Sequence, residues 1–220
     1  MINDNTGFDL IWVIVNFGKG SSVLQTAKKC GATGGTVVLA KGTANSSFIS
    51  YLGLTEIRKE IVLMACNKET SKCVLETLNE KFQFEKPKHG IAFTTALHTV
   101  IGSVGCILTN SKKLERGDES MYCSITVIVE KGKAEDVVDA ATAAGSKGGT
   151  IINARGSGIH ETSKLFFMDI EPEKEMVLIL SEKCDSDAII SSIREKIDIK
   201  EPGKGIIFVQ DVNKVYGLAK

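Results

Sequence analysis

The side chains able to do chemistry are few and scattered. The chain has three histidines, His89, His98 and His160, and six cysteines, Cys30, Cys66, Cys73, Cys106, Cys123 and Cys184. There is no His-x-x-x-His pair, no CxxC, and no histidine beside a cysteine at metal-ligand spacing. No GxSxG, Walker or serine-histidine-aspartate pattern occurs. The carboxylates are spread over charge-balanced faces. This inventory points to binding rather than catalysis, with no catalytic residue and no metal ligand assigned. What stands out instead is a pair of glycine-rich turns with a cation inside them. Arg155-Gly156-Ser157-Gly158 leaves a predicted strand, and Pro202-Gly203-Lys204-Gly205 enters one. Glycine admits positive φ and close backbone approach, so successive amides can converge on a phosphate. Arg155 would add charge-assisted hydrogen bonds. An ordinary tight turn before a strand explains the same residues.

The elements that must position these turns come in two copies. Val13-Ile14-Val15 recurs as Val127-Ile128-Val129, and Gly34-Gly35-Thr36 as Gly148-Gly149-Thr150, both 114 residues on. Gly18, Gly31 and Gly42 return as Gly132, Gly145 and Gly156 at the same shift. Beyond Lys59-Glu60, which matches Lys174-Glu175, the shift is 115: Pro87, Gly90 and Phe93 return as Pro202, Gly205 and Phe208. The one-residue change falls between Gly42 and Lys59, so that segment is a loop in both copies. His89 aligns with Lys204, a shared polar position.

Each copy reads strand, helix, strand, long loop, strand, helix, strand. Val23, Leu24 and Ala27 match Val137, Val138 and Ala141 at helical spacing. Val74, Leu75, Leu78 and Phe82 match Ile189, Ile190, Ile193 and Ile197 as one apolar stripe. Gly31 and Gly145 sit where a helix C-terminal cap needs positive φ, and Asp185 reads as an N-cap. Two such βαβ halves predict an α+β fold of two tandem ferredoxin-like βαββαβ domains, with antiparallel sheets and helices on one face. The expected domains are residues 1–102 and 121–220, joined by a linker at 103–120.

Composition narrows the partners. Lys plus Arg and Asp plus Glu both number 27, so bulk charge draws the chain toward neither nucleic acid nor anionic lipid. The apolar run Leu10–Val15 is far short of the ~20 residues that span a bilayer, and the N-terminus has no signal-peptide pattern. The expectation is a cytoplasmic protein whose cysteines are mostly small buried hydrophobes.

These residues resemble a known family. The βαββαβ order, a GGT opening the second strand, a long loop after it, and a last strand entered by PKHGIAF or PGKGIIF are similar to PII nitrogen-signalling proteins. The second copy, RGSGIHETSKLFFMDIEPEKEMVLI followed by EPGKGIIFV, is the closer one. The resemblance covers both modules and excludes the linker. It implies a nitrogen-regulatory signalling protein, not an enzyme. Such a protein binds an adenine nucleotide (ATP, ADP or AMP) in clefts between neighbouring domains and signals through T-loops to a protein target of nitrogen metabolism, a transporter or an enzyme. The T-loops would run over 41–58 and 155–173. The nucleotide-binding set is then Gly34, Thr36, Lys41, Gly42, Lys88, His89 and Gly90 in the first copy. In the second it is Gly148, Thr150, Arg155, Gly156, Gly158, Gly203, Lys204 and Gly205. Tyr51 lies near where family members can carry a modified tyrosine. With His160 and the apolar Phe166, Phe167 and Met168 it makes up the candidate partner-docking set. The resemblance also implies a homo-oligomer, here three two-domain chains. Two family features are missing: Ile91 and Ile206 stand where a lysine precedes the last strand, and no arginine pair follows that strand. The missing arginines weaken the case for a triphosphate, and a mono- or diphosphate, or no nucleotide, fits as well. The alternative is a ferredoxin-like structural or interaction module with a degenerate nucleotide site.

Overall fold

Alternation decides the first strand. In β1 (Phe8–Asn16) Ile11, Val13 and Val15 point into a core, while Trp12 and Ile14 are only partly covered. The computed structural model describes residues 7–42, 57–103, 106–109, 121–158, 163–165, 168–199, 203–213 and 215. The chain divides into two compact units, Asp9–Thr95 and Ala96–Lys220, the second also taking Met1–Phe8.

The first unit continues with α1 (Gly20–Lys29), β2 (Gly35–Gly42), β3 (Ile57–Asn67), α2 (Lys68–Phe82) and β4 (Ile91–Leu97). Its strands lie in the order β4-β1-β3-β2, the ferredoxin-like order. Val23, Leu24 and Ala27 of α1 and Val74 and Leu78 of α2 share one core with the inward residues of β1, Val37 of β2, and Val62 and Met64 of β3. Both helices therefore cover one face of the sheet. Burial of each such aliphatic contributes about 1.5–3 kcal/mol before ordering entropy is counted. Helix α1 ends where expected, with Gly31 at φ +96° and the Ala32 amide returning to the Ala27 carbonyl at 3.1 Å. Asn67 caps α2 by accepting from the Thr70 amide at 2.8 Å. Away from the helices Trp12 stacks on Phe93, centroids 5.8 Å apart, and its indole N–H donates to Thr95.

The second unit holds β5 (Thr99–Ser103), β6 (Cys106–Thr109), β7 (Tyr122–Glu130), α3 (Ala134–Ala143), β8 (Thr150–Ser157), β9 (Ser163–Leu165), β10 (Met168–Ile170), β11 (Glu173–Glu182), α4 (Lys183–Lys196) and β12 (Gly205–Val212). Strands β8-β11-β7-β12 repeat the first unit's order, and every pairing among them is antiparallel. Val137, Ala140 and Ala141 of α3 and Ile189, Ile190 and Ile193 of α4 bury against Val127, Val129, Val177 and Ile179.

Register carries the duplication to single residues. Thr36 opposes Leu63 and Thr150 opposes Leu178; Lys41 opposes Arg58 and Arg155 opposes Glu173. The shift is 114 on one strand and 115 on its partner, so the extra residue does lie between them.

Four readings differ in detail. Residues 103–109, read as part of a linker, carry the end of β5 and all of β6. Strand β5 pairs with β12, Ile207 opposite Ile101, and β6 pairs with β5. Val100 and Ile101 are buried there, and the added strands cover an edge of β12 that would otherwise expose unpaired backbone. The loop at 155–173 contains the two-stranded β9–β10 pair. Asp185 lies in the first turn of α4; the helix starts earlier, with Glu182 at the N-cap position and no side-chain cap. Of the five cysteine side chains described, Cys66 and Cys123 are buried, Cys30 is half-buried, and Cys73 and Cys184 are exposed.

Candidate functional site

The predicted loops gather at one end of each sheet. In the second unit Arg155 opposes Glu173, Lys174 opposes Glu130 and Gly205 opposes Val129, which brings the end of β8, the starts of β11 and β12 and the end of β7 together. In the first unit Lys41 opposes Arg58, the Phe17 amide donates to the Arg58 carbonyl at 3.2 Å, and a Cβ on Gly90 would touch the Ile14 carbonyl at 2.6 Å. Lys41, Gly42, Gly90 and their counterparts Arg155, Gly156, Gly205 thus share an end. Thr36 and Thr150 begin the same strands that Lys41 and Arg155 finish. Five residues at about 3.3 Å each put roughly 17 Å between them within one module.

Glycine at the last-strand entrance has a packing cause in both copies. The backbone approaches β1 or β7 so closely that a Cβ on Gly90 or Gly205 would meet the Ile14 or Ile128 carbonyl, at 2.6 and 2.7 Å. Gly90 also sits at φ +135°, which a side chain would strain. His89 does structural work here: its Nδ1–H donates to the Phe82 carbonyl at 2.9 Å, satisfying the last residue of α2. Lys88, Gly203 and Lys204 are exposed. In the Gly-Gly-Thr motif the second glycine is the packing one. A Cβ on Gly35 would meet Met64 Cγ at 2.7 Å, and one on Gly149 would meet Val177 Cγ1 at 3.1 Å. Gly34 and Gly148 precede those glycines. Thr36 is buried, whereas Thr150 is exposed.

Charge differs between the two ends. In the second unit the Arg155 guanidinium donates to the Glu171 carboxylate, and the Gly156 amide donates to the Pro172 carbonyl at 3.0 Å. Lys131 pairs with Glu173 at 2.6 Å, and that hydrogen bond and charge hold its ammonium pKa above the ordinary lysine value. An anion arriving at Arg155 must compete with Glu171. In the first unit two cations meet neutral groups: Arg58 lies over the Phe17 ring at 5.7 Å, and Lys59 donates to Asn16 Oδ1 at 2.5 Å.

Two residues of this end were not singled out from the sequence. Helices α1 and α3 have no side-chain cap at Lys19 or Lys133. Their first amides are instead met by a strand carboxylate: Glu60 accepts from the Gly20 amide at 2.6 Å, and Glu175 accepts from Gly132 and Ala134 at 3.0 and 2.9 Å. An acid is favoured at a helix N-terminus by the unpaired N–H groups and the helix dipole. Glu60 is 1% exposed. The signal was a glutamate kept in both copies directly before the apolar run of the strand.

Of the docking candidates, Tyr51, His160, Phe166 and Phe167 lie outside the described residues. Met168 opens β10, and Gly158 follows the end of β8. Among the described residues Glu182, Cys184 and Asp185 bring ligand atoms within 4.8 Å of one another, all exposed.

Strand order, register and helix placement define the class: two tandem ferredoxin-like βαββαβ modules. The family model described as nitrogen regulatory protein P-II matches residues 122–219. Among solved structures, the Arabidopsis thaliana PII protein bound to citrate is similar at 25% identity, with a TM-score of 0.36, covering 44% of this chain and 80% of that chain. No curated protein matches the chain. The matched residues are the second module, and the first repeats its strand order and register. No helix among the described residues is long and apolar enough to cross a membrane.

Proposed function

We propose that the chain is a PII-type nitrogen regulator that binds an adenine nucleotide at the loop-bearing sheet end of its modules. Ligand binding there biases the 155–173 loop toward one shape, and that shape is read by a protein target of nitrogen metabolism. The reading is carried by the P-II family match over residues 122–219. It is supported by the gathering of Arg155, Gly156 and Gly205 at the end where that loop begins and returns. Coupling needs only that the ligand favour one loop state over another. Arg155 supplies the phosphate contact once Glu171 yields it. The working assembly is a homo-oligomer, three two-domain chains, and the protein is cytoplasmic.

Calorimetric titration of the full chain with ATP, ADP and AMP tests the binding. Sub-millimolar affinity for at least one nucleotide, weakened by Arg155→Ala, supports the reading. Silence for all three with the chain folded supports the second reading, a structural or interaction module with a degenerate site. That alternative is favoured by the engagement of Arg155 with Glu171 and by the missing arginine pair. Sedimentation checks the assembly, and a monomer at working concentration contradicts it.

A further inference from the structure

The C-terminal end of α1 packs on a stripe of α2. Thr70, Cys73 and Thr77 are spaced i, i+3, i+7 on that helix and share a face. A Cβ on Gly31 would lie 3.9 Å from Thr70 Cγ2. Cys30, the C-cap residue of α1, has its sulfur 3.3 Å from Thr77 Oγ1 as a hydrogen-bond donor. Cys73 lies on that same face, one turn before Thr77, and both Thr77 and Cys30 act on its thiol. Two thiols from different helices therefore meet around one hydroxyl, and neither is in a disulfide.

We propose that Cys30 and Cys73 form a reversible intramolecular disulfide that ties the end of α1 to the exposed side of α2. Two thiols set beside the same Thr77 hydroxyl on facing helix surfaces need only lose their protons and close to the bond length of about 2.05 Å. Access is graded: Cys73 is exposed and Cys30 half-buried. A small-molecule disulfide such as oxidised glutathione therefore reaches Cys73 first. The Cys73 thiolate attacks one glutathione sulfur, forming a mixed disulfide and releasing one glutathione thiolate. The Cys30 thiolate then attacks the Cys73 sulfur and releases the second. The two protons lost by the cysteines end on the two departing thiols, so one small disulfide is reduced as one protein disulfide forms. The fold does not need this pair. Ala144 and Ala188 stand at the equivalent positions of the other module, by the shifts of 114 and 115. A reversible bond suits a compartment that keeps thiols reduced at rest. It closes the span from 30 to 73, which holds β2, β3 and the segment read as the first T-loop.

The test uses the full chain at low protein concentration, incubated with oxidised glutathione and mapped by peptide mass spectrometry. The expected product is a linked Cys30–Cys73 peptide two hydrogens lighter than its parts, returning to free thiols with dithiothreitol. Cys73→Ala should leave no glutathione adduct on Cys30 beyond slow background, and Cys30→Ala should leave a persistent adduct on Cys73. Circular dichroism checks that both variants fold, as the alanines of the second module lead one to expect. Three results overturn the proposal: a lasting glutathione adduct on wild-type Cys73 with Cys30 free, linkage only between chains, or no change at either cysteine.

Discussion

Removing the Glu60 carboxylate should unfold the first module at markedly lower denaturant. Glu60 is 1% exposed and accepts from the Gly20 amide at 2.6 Å, a bond buried from water. In Glu60→Ala that amide keeps its burial and loses its acceptor, a penalty of about 1–3 kcal/mol. Loss of an anion from the N-terminus of α1 adds about 0.3–1 kcal/mol. The sum is about 1–4 kcal/mol, and at a urea slope of about 2 kcal/mol per M the midpoint falls by about 0.5–2 M. The chain has one tryptophan, Trp12, and it lies in β1. Its fluorescence therefore reports the first module without labelling. Glu60→Gln keeps a carbonyl acceptor but not the charge, and neutral hydrogen bonds are about half as strong as charged ones. It should fall between wild type and alanine. Glu175→Ala, whose contacts with the Gly132 and Ala134 amides are exposed and part-buried, should cost less, about 1 kcal/mol, because water can replace the exposed one. A Trp12 midpoint for Glu60→Ala within about 0.5 kcal/mol of wild type, the usual range for featureless surface changes, would refute the strand-to-helix cap.

The remaining expectations concern the loop end, the glycines and the cysteines. Glu171→Gln should free Arg155 and tighten binding of any nucleotide that calorimetry detects, by up to about tenfold for 1.4 kcal/mol of relieved competition; unchanged affinity would mean that Arg155 does not touch the ligand. Gly90→Ala should destabilise the first module by more than Gly203→Ala does the second. The former meets the Ile14 carbonyl at 2.6 Å, whereas Gly203 has nothing within 4 Å and carries only the strain of its φ of +89°; equal shifts in urea midpoint would contradict the close approach. Under native conditions Cys73 and Cys184 should react with a thiol reagent, while Cys66 and Cys123 should wait for unfolding. Burial, with Asp9 adding to it, pushes the Cys66 thiol up to about 12 from an ordinary 9.0. Because its folded value is raised, its contribution to stability is intact below pH 9 and fades as pH climbs toward 12. Cys66→Ala should therefore flatten the alkaline limb of a stability profile, and an unchanged limb would sink that assignment.

Local periodicity made most of the fold legible. The paired stripes Val74-Leu78 and Ile189-Ile193 are core in both units, and Gly31 and Gly145 take positive φ at the helix ends. Repetition located the loop insertion because register is a backbone property that a one-residue slip would reverse. Strands β5 and β6 were hidden because their pairing with β12 is non-local and their sequence continues the apolar run of β4. The strand-borne caps were hidden for a related reason: Glu60 and Gly20 are forty residues apart, and N-cap rules look only at neighbours. At the site, glycines and cations could be listed from sequence, but their occupation could not. Arg155 reads as an open phosphate ligand until Glu171 is seen beside it, and His89 reads as anion-facing until its bond to the Phe82 carbonyl is seen. Cys73 and Cys184 are exposed although the sequence reading expected mostly buried cysteines, because cysteine's usual burial says nothing about a particular helix position.

Whether a nucleotide and the second loop speak to each other is the point on which the regulator stands. Hydrogen exchange of the full chain, followed by mass spectrometry with and without saturating ATP, ADP or AMP, reads this directly. The expected result is a ligand-dependent change in amide exchange in peptides covering 155–173, with α4 unaltered. Identical exchange through those residues while a nucleotide is demonstrably bound would contradict the coupling.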